Sequence, residues 1–102
     1  MYDMKNLAKL KLMDASAPEG MKAFWAFDKA AMAAGAIPVK YKELMALSVA
    51  FTTQCPYCIH IHTGRAREAG CSDAEIAEAV VVAAALRAGG AITHGTHAFA
   101  DR

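Results

Sequence analysis

The chain has 102 residues, a net charge of +1 and an apolar fraction of 56%, much of it alanine. That length suits one domain, residues 1–102, built on a single core. Acidic and basic residues are interspersed, with neither a basic block nor arginines interleaved with aromatics, so the composition argues against nucleic-acid binding.

Alanine has the highest helix propensity and lets helices approach closely. With three prolines and no alternating β-branched runs, the composition predicts an all-α domain of about five to six helices. So much apolar surface on so short a chain also predicts association through apolar faces.

In chain order, Asn6 to Asp14 can form a first helix. Pro18 suits a first helical turn, where its missing N–H costs nothing, and predicts a helix through Phe24, Trp25, Phe27 and Met32 to a stop at Gly35. Pro38 opens the next, through Leu44, Leu47 and Phe51 to about Thr53. Pro56 sits just inside a third, which carries Cys58, His62 and Arg65 and ends near Gly70. Ser72-Asp73-Ala74-Glu75 is a capping box. It starts a stripe of Ile76, Ala79, Val80, Ala83 and Leu86 that is expected to end at Gly89-Gly90. Ala91 to Phe99 can add a short terminal helix.

At helical spacing, Phe24, Trp25, Phe27 and the scattered methionines read as core or subunit-interface residues rather than as the lining of a pocket. Lys5, Lys9, Lys11, Lys40 and Lys42 read as solvated faces. Met1 to Met13 alternates lysines with leucines and lacks the apolar run of a signal peptide. Val80 to Leu86 is apolar but far too short to span a bilayer. The expectation is a cytoplasmic protein that does not enter the membrane. In a reducing cytosol a C-x-x-C pair is more often catalytic or metal-binding than a structural staple. The third cysteine, Cys71, reads as a small core residue.

The chemistry concentrates in Cys55-Pro56-Tyr57-Cys58, His62 and Glu43. With Pro56 at the first helical position, Cys55 becomes the cap and Cys58 falls in the first turn, where free N–H groups and the helix dipole favour a thiolate. Mid-helix, residues three apart are held too far apart for a disulfide. At a helix start Cys55 is not yet helical and can swing in. Cys58 and His62, at i and i+4, share a face, so the imidazole can accept the thiol proton. This assigns Cys58 as the attacking thiol and Cys55 as the resolving one. Glu43, on the preceding helix, is either a first-turn acid favoured by the dipole or the carboxylate that orients His62 and stabilises its charged form. His60 points elsewhere on the helix and reads as a bystander. His94 and His97, at i and i+3, read as structural, with a metal pair as the alternative.

These residues resemble the alkylhydroperoxidase D / carboxymuconolactone decarboxylase family. Its redox-active members have a glutamate, twelve residues to a C-x-x-C, then a histidine four after the second cysteine; here these are Glu43, Cys55, Cys58 and His62. Gly64 to Gly70 and the following Ser72-Asp73-Ala74-Glu75-Ile76 are also similar to that family. The resemblance spans roughly Pro38 to Gly90. It implies an all-α fold around a pair of antiparallel helices, assembled as homotrimers or homohexamers. It further implies a peroxidase that needs no metal or other cofactor. Cys58 would form a sulfenic acid, Cys55 would condense with it, and His62 and Glu43 would relay protons. The partners implied are a hydroperoxide and a thiol or dihydrolipoyl-type reductant. Tyr57 departs from the pattern, since a second histidine often lies between the cysteines.

Two other functions compete. A lactone decarboxylase of the same superfamily needs no redox cysteine pair. A zinc-binding or redox-sensing module could use Cys55, Cys58 and His62, with His94 or His97 as the fourth ligand.

Overall fold

The computed structural model describes residues 2–102. Its described residues are helical with no strand. A 3-10 segment, Met4–Lys9, is capped by Asp3, whose carboxylate accepts from the Lys5 N–H at 2.9 Å. It runs directly into α1 (Leu10–Ser16), and α2 (Pro18–Met32) follows with Pro18 at its first position. Then come α3 (Val39–Thr53), α4 (Pro56–Glu68) and α5 (Asp73–His94), closed by a second 3-10 segment, Gly95–Phe99.

The core lies where α3 packs on both α4 and α5. Leu47 of α3, Ala66 of α4 and Cys71 after α4 are buried together, with Leu44, Phe51 and Ile76 packed against them. Ala79 and Ala83 turn the small side of α5 toward this core. Such small residues let two helices approach closely, and Ser48 Oγ donates to the Ala79 carbonyl across the contact at 3.1 Å. Cys71 is the small core residue its isolation suggested, its thiol 3.6 Å from the Lys40 carbonyl.

Two turns fix how the core helices meet. α3 stops at Gln54, whose φ of 58° puts a non-glycine residue in the left-handed region. The Cys55 N–H then reaches back to the Ala50 carbonyl at 3.1 Å. α4 ends in a Schellman motif. Gly70, at φ 92°, donates to Arg67 O, and Cys71 donates to Ala66 O at 2.9 Å. The apolar contact that accompanies this motif is Ala66 against Cys71, both in the core. The Ser72–Glu75 capping box forms reciprocally, at 2.9 and 3.1 Å.

The structure corrects three expectations. The second helix stops at Met32, three residues before Gly35, and Lys42 is no solvated bystander. Its ammonium donates to the Ala31 and Ala33 carbonyls at 2.8 and 2.6 Å, satisfying the free end of α2. Lys40 likewise pairs with Glu75 at 3.1 Å.

The third correction concerns α5, which passes through Gly89-Gly90 without a break and continues to His94. A glycine pair costs helix stability but offers no clash, and the flanking alanines carry the helix across it. Residues 73–99 therefore form a helical stretch of 27 residues that contains an 18-residue window with a mean hydropathy of 1.6. That is long and apolar enough to cross a membrane, unlike the seven-residue run on which the sequence expectation rested. Its Ala79–Ala83 side, however, is already packed on α3.

Candidate active site

Cys55 is the N-cap of α4, in extended backbone, and its sulfur accepts the Cys58 N–H at 3.3 Å. The two sulfurs lie 3.0 Å apart with both cysteines free. A further approach of about 1 Å would bring them to bonding distance. The left-handed turn at Gln54 and the proline at the first helical position together set this geometry. One ends α3 abruptly; the other starts α4 with Cys55 still outside it.

The hydrogen bond between the two sulfurs moves their thiols in opposite directions. The Cys58 thiol is pushed up to about 11, chiefly by its hydrogen bond with the Cys55 sulfur, and further by burial and by the negative charges of Cys55 and Asp28. Cys55 moves the other way. Its thiol is held below the ordinary cysteine value by the hydrogen bonds from the Cys58 side chain and backbone. The lowering expected at a helix start therefore falls on Cys55, through hydrogen bonds, rather than on Cys58.

On the next turn His62 places Nδ1 2.6 Å from Glu43 Oε2. Glu43 is only 3% exposed, the fifth residue of α3 on its side toward α4. A carboxylate accepts only, so Nδ1 carries the hydrogen and Nε2 is left as the basic nitrogen. Of the two readings of Glu43, the partner of His62 is the one that the geometry gives. No hydrogen bond joins His62 to either sulfur.

Cys58 and His62 open onto a cavity of about 410 Å³. Leu7, Leu10, Met13, Phe24, Trp25 and Ile61 supply its apolar wall, while Asn6, Asp28, Tyr57 and Arg65 supply the rest of its polar groups. Cys55 and Glu43 do not line it. Two bonds hold the N-terminal segments over the site. Asn6 Nδ2 donates to the Tyr57 hydroxyl at 2.9 Å, and Trp25 Nε1 donates to Asp14 Oδ1 at 2.7 Å. Tyr57 therefore does a job of its own between the cysteines, and the Tyr2 ring packs edge-on against it. A larger groove of about 610 Å³ runs between α3 and α5 but contains no cysteine or histidine. It is a shallow stretch of helix surface.

Phe24 and Trp25 are not core residues of this chain, since α2 buries no residue. Both line the cavity, a role the sequence reading set aside, and Phe27, on another side of the helix, is exposed. The available signal was Asp28, an acid at i+4 from Phe24 and i+3 from Trp25 on one helix face. His60 borders a separate surface hollow. His94 and His97 pack edge-to-face against each other, ring centres 4.8 Å apart. Among the described residues no three His, Cys, Asp or Glu side chains are grouped as metal ligands.

An all-helical chain with a capped cysteine pair and a glutamate-held histidine on adjacent core helices defines a class of small helical proteins. The chain belongs to the carboxymuconolactone decarboxylase family, whose sequence profile matches residues 18–101. It is 45% identical over 78 residues to uncharacterized protein 4 in the cox locus of Paracoccus denitrificans, covering 76% of this chain and 70% of that protein. The fold is similar to the crystal structure of an apo carboxymuconolactone decarboxylase family protein from Legionella pneumophila. There the TM-score is 0.75 at 29% identity, covering 80% of this chain and 73% of that one. A protein from Methanobacterium thermoautotrophicum matches with the same TM-score at 33% identity, covering 80% and 94%. Members of the family are often enzymes.

Proposed function

We propose that the chain is a thiol-dependent peroxidase and disulfide oxidoreductase that works through Cys55 and Cys58 without a metal or other cofactor. The observation that carries this reading is the sulfur pair at 3.0 Å, with Cys58 alone of the two reaching the cavity. Access decides the roles. A hydroperoxide in the cavity meets Cys58, while Cys55 waits behind it as the resolving sulfur.

Entry of the substrate lets the Cys58 proton pass to Nε2 of His62. A water or the substrate's own oxygen bridges the two, since they share no direct bond. Glu43 stabilises the imidazolium. The Cys58 sulfur attacks the terminal oxygen of the hydroperoxide, the O–O bond breaks, and the alkoxide takes the proton back and leaves as an alcohol. Cys58 is now a sulfenic acid. The Cys55 sulfur attacks it, the S–O bond breaks, and hydroxide leaves with a proton as water, giving the disulfide. A dithiol reductant, of which a dihydrolipoyl group is one kind, returns two electrons by thiol–disulfide exchange. Such a cycle suits the reducing cytoplasm, where we place the protein.

One observation favours the reverse order. Cys55, not Cys58, holds the lowered thiol, as it would if Cys55 attacked and Cys58 resolved. No observation favours lactone decarboxylation or a zinc module over these.

The test counts free thiols before and after one equivalent of hydroperoxide and traps sulfenic acid in the single-serine variants. Loss of two thiols in the wild type, with a sulfenic acid trapped at Cys58 in Cys55→Ser, is expected. A sulfenic acid at Cys55 in Cys58→Ser, with none in the other variant, would reverse the roles. Thiols inert to hydroperoxide would remove the peroxidase reading.

A further inference from the structure

Two of the cavity's groups have no task in the chemistry above. Asp28, half-buried on α2, and Arg65, exposed on α4, both line it, and neither side chain makes an ion pair or hydrogen bond with a described residue. Asp28 is close enough to Cys58 for its charge to raise that thiol. Arg65 stands seven residues beyond Cys58, two turns along the same face and about 10 Å along the axis. Most of the remaining wall is apolar, formed by Leu7, Leu10, Met13, Phe24, Trp25 and Ile61, with Asn6, Tyr57 and His62 its other polar groups.

We propose that the cavity takes a carboxylate-bearing aliphatic molecule in one direction, its carboxylate at Arg65 and its apolar far end, bearing the reactive group, at Cys58. This rests on the peroxidase reading only for the identity of that reactive group as a hydroperoxide. Arg65 offers a planar pair of donors that a carboxylate fits. Asp28 rejects the reverse orientation, which would bring two carboxylates together in an apolar surround where like charges repel strongly. The apolar wall takes the chain between. A hydrogen peroxide molecule would use almost none of this volume.

Binding and reaction are read separately. Trp25 is the chain's one tryptophan and lies in the wall, so its fluorescence reports occupancy without any chemistry. Octanoate and octanol are titrated into wild type, Arg65→Glu and Asp28→Asn, each as the Cys58→Ser variant. Arg65→Glu is expected to weaken octanoate about tenfold and leave octanol unchanged. Thiol oxidation is then followed with two isomers, ω-hydroperoxyoctanoate and α-hydroperoxyoctanoate. The ω isomer is expected to react at least tenfold faster in the Cys58-containing protein, and Asp28→Asn to narrow that ratio by speeding the α isomer.

Octanoate binding indifferent to Arg65→Glu, or equal rates for the two isomers, would overturn the inference even where hydroperoxides oxidise both thiols. Octanoate binding that depends on Arg65, with thiols inert to every hydroperoxide, would uphold it and remove the peroxidase reading.

Discussion

At the scale of single residues, the site turns on how the two sulfurs shift each other's thiols. The hydrogen bond between Cys55 and Cys58 is the largest cause of the raised Cys58 value of about 11. Cys55→Ala removes that partner while leaving Cys58, His62 and the cavity wall in place. The sign follows directly: a hydrogen bond that stabilised the protonated thiol is gone, so the Cys58 value falls toward the ordinary cysteine range of about 8.5. At about pH 8 the thiolate fraction then rises by roughly two orders of magnitude, while each thiolate becomes roughly tenfold less nucleophilic as its basicity drops. Burial and the charge of Asp28 persist and hold back part of the shift. Alkylation of Cys58 by iodoacetamide is therefore expected to quicken several-fold to about tenfold in Cys55→Ala, with its pH midpoint moved down. An unmoved midpoint would show that burial, not the sulfur–sulfur bond, sets the value. Sequence spacing could not reveal this, because the i to i+3 relation says that two cysteines meet but not which thiol is raised and which lowered. The Glu43–His62 pair was legible, since a carboxylate in an apolar run needs a partner when buried, and a histidine one turn past the cysteines is an available one.

At the scale of elements, helix starts were easier to read than helix ends. Pro18, Pro56 and the Ser72 capping box each place a start correctly because they satisfy or remove N–H groups within a few residues of chain. Ends depend on what lies beyond. Gly70 and the Gly89-Gly90 pair look alike in sequence, yet Gly70 adopts φ 92° and ends α4 while the pair continues α5. The difference is that Cys71, just past Gly70, is drawn into the core against Ala66, and nothing past Gly90 is drawn anywhere. Alanine substitutions separate the two situations. Neither Gly70 nor Gly90 has an atom within 4 Å of where a Cβ would sit, so backbone preference alone decides. Gly70→Ala is expected to cost about 1–2 kcal/mol, the penalty for a side chain in the left-handed region. Gly90→Ala is expected to stabilise by about 1 kcal/mol, the helix-propensity gap between the two residues. Urea unfolding of both variants measures this. Equal signs would mean that the Gly90 surface is closely covered. The N-terminal wall of the cavity was not legible for a related reason: α1 and α2 touch the core at few points, and periodicity reports a helix's apolar face without saying what that face meets.

At the scale of the whole molecule, the chain is more open than a compact monomer of its length. Its radius of gyration is 17.1 Å with extents of 55 × 34 × 32 Å, where a compact chain of this length has a radius of about 13 Å. Its accessible surface is 7730 Å², against about 5,500 Å² for a monomer of its mass. The excess, roughly 2,000 Å², is the scale of surface that subunit interfaces remove. Much of it is apolar, with Val81, Leu86 and Ile92 of α5 between 65% and 76% exposed and Phe27 of α2 at 71%. This helix face is the same one whose length and hydropathy match a membrane span, so two environments compete for it. Self-association is the reading we favour, because α5 begins in water-facing acids, Asp73, Glu75 and Glu78, and already lays one side on α3. The α2 face must then be covered as well, which would also tighten the wall over Cys58. Light scattering coupled to size-exclusion chromatography, in detergent-free buffer, is expected to give a mass that is a whole multiple of 10.8 kDa, a trimer or a hexamer. Leu86→Glu, which puts a charge in the middle of the exposed stripe without touching the core, is expected to lower that mass and leave the helical circular dichroism intact. A wild-type mass of one chain would show that the apolar face is left for something other than its own copies. A charged variant that assembles as the wild type does would move the interface off α5.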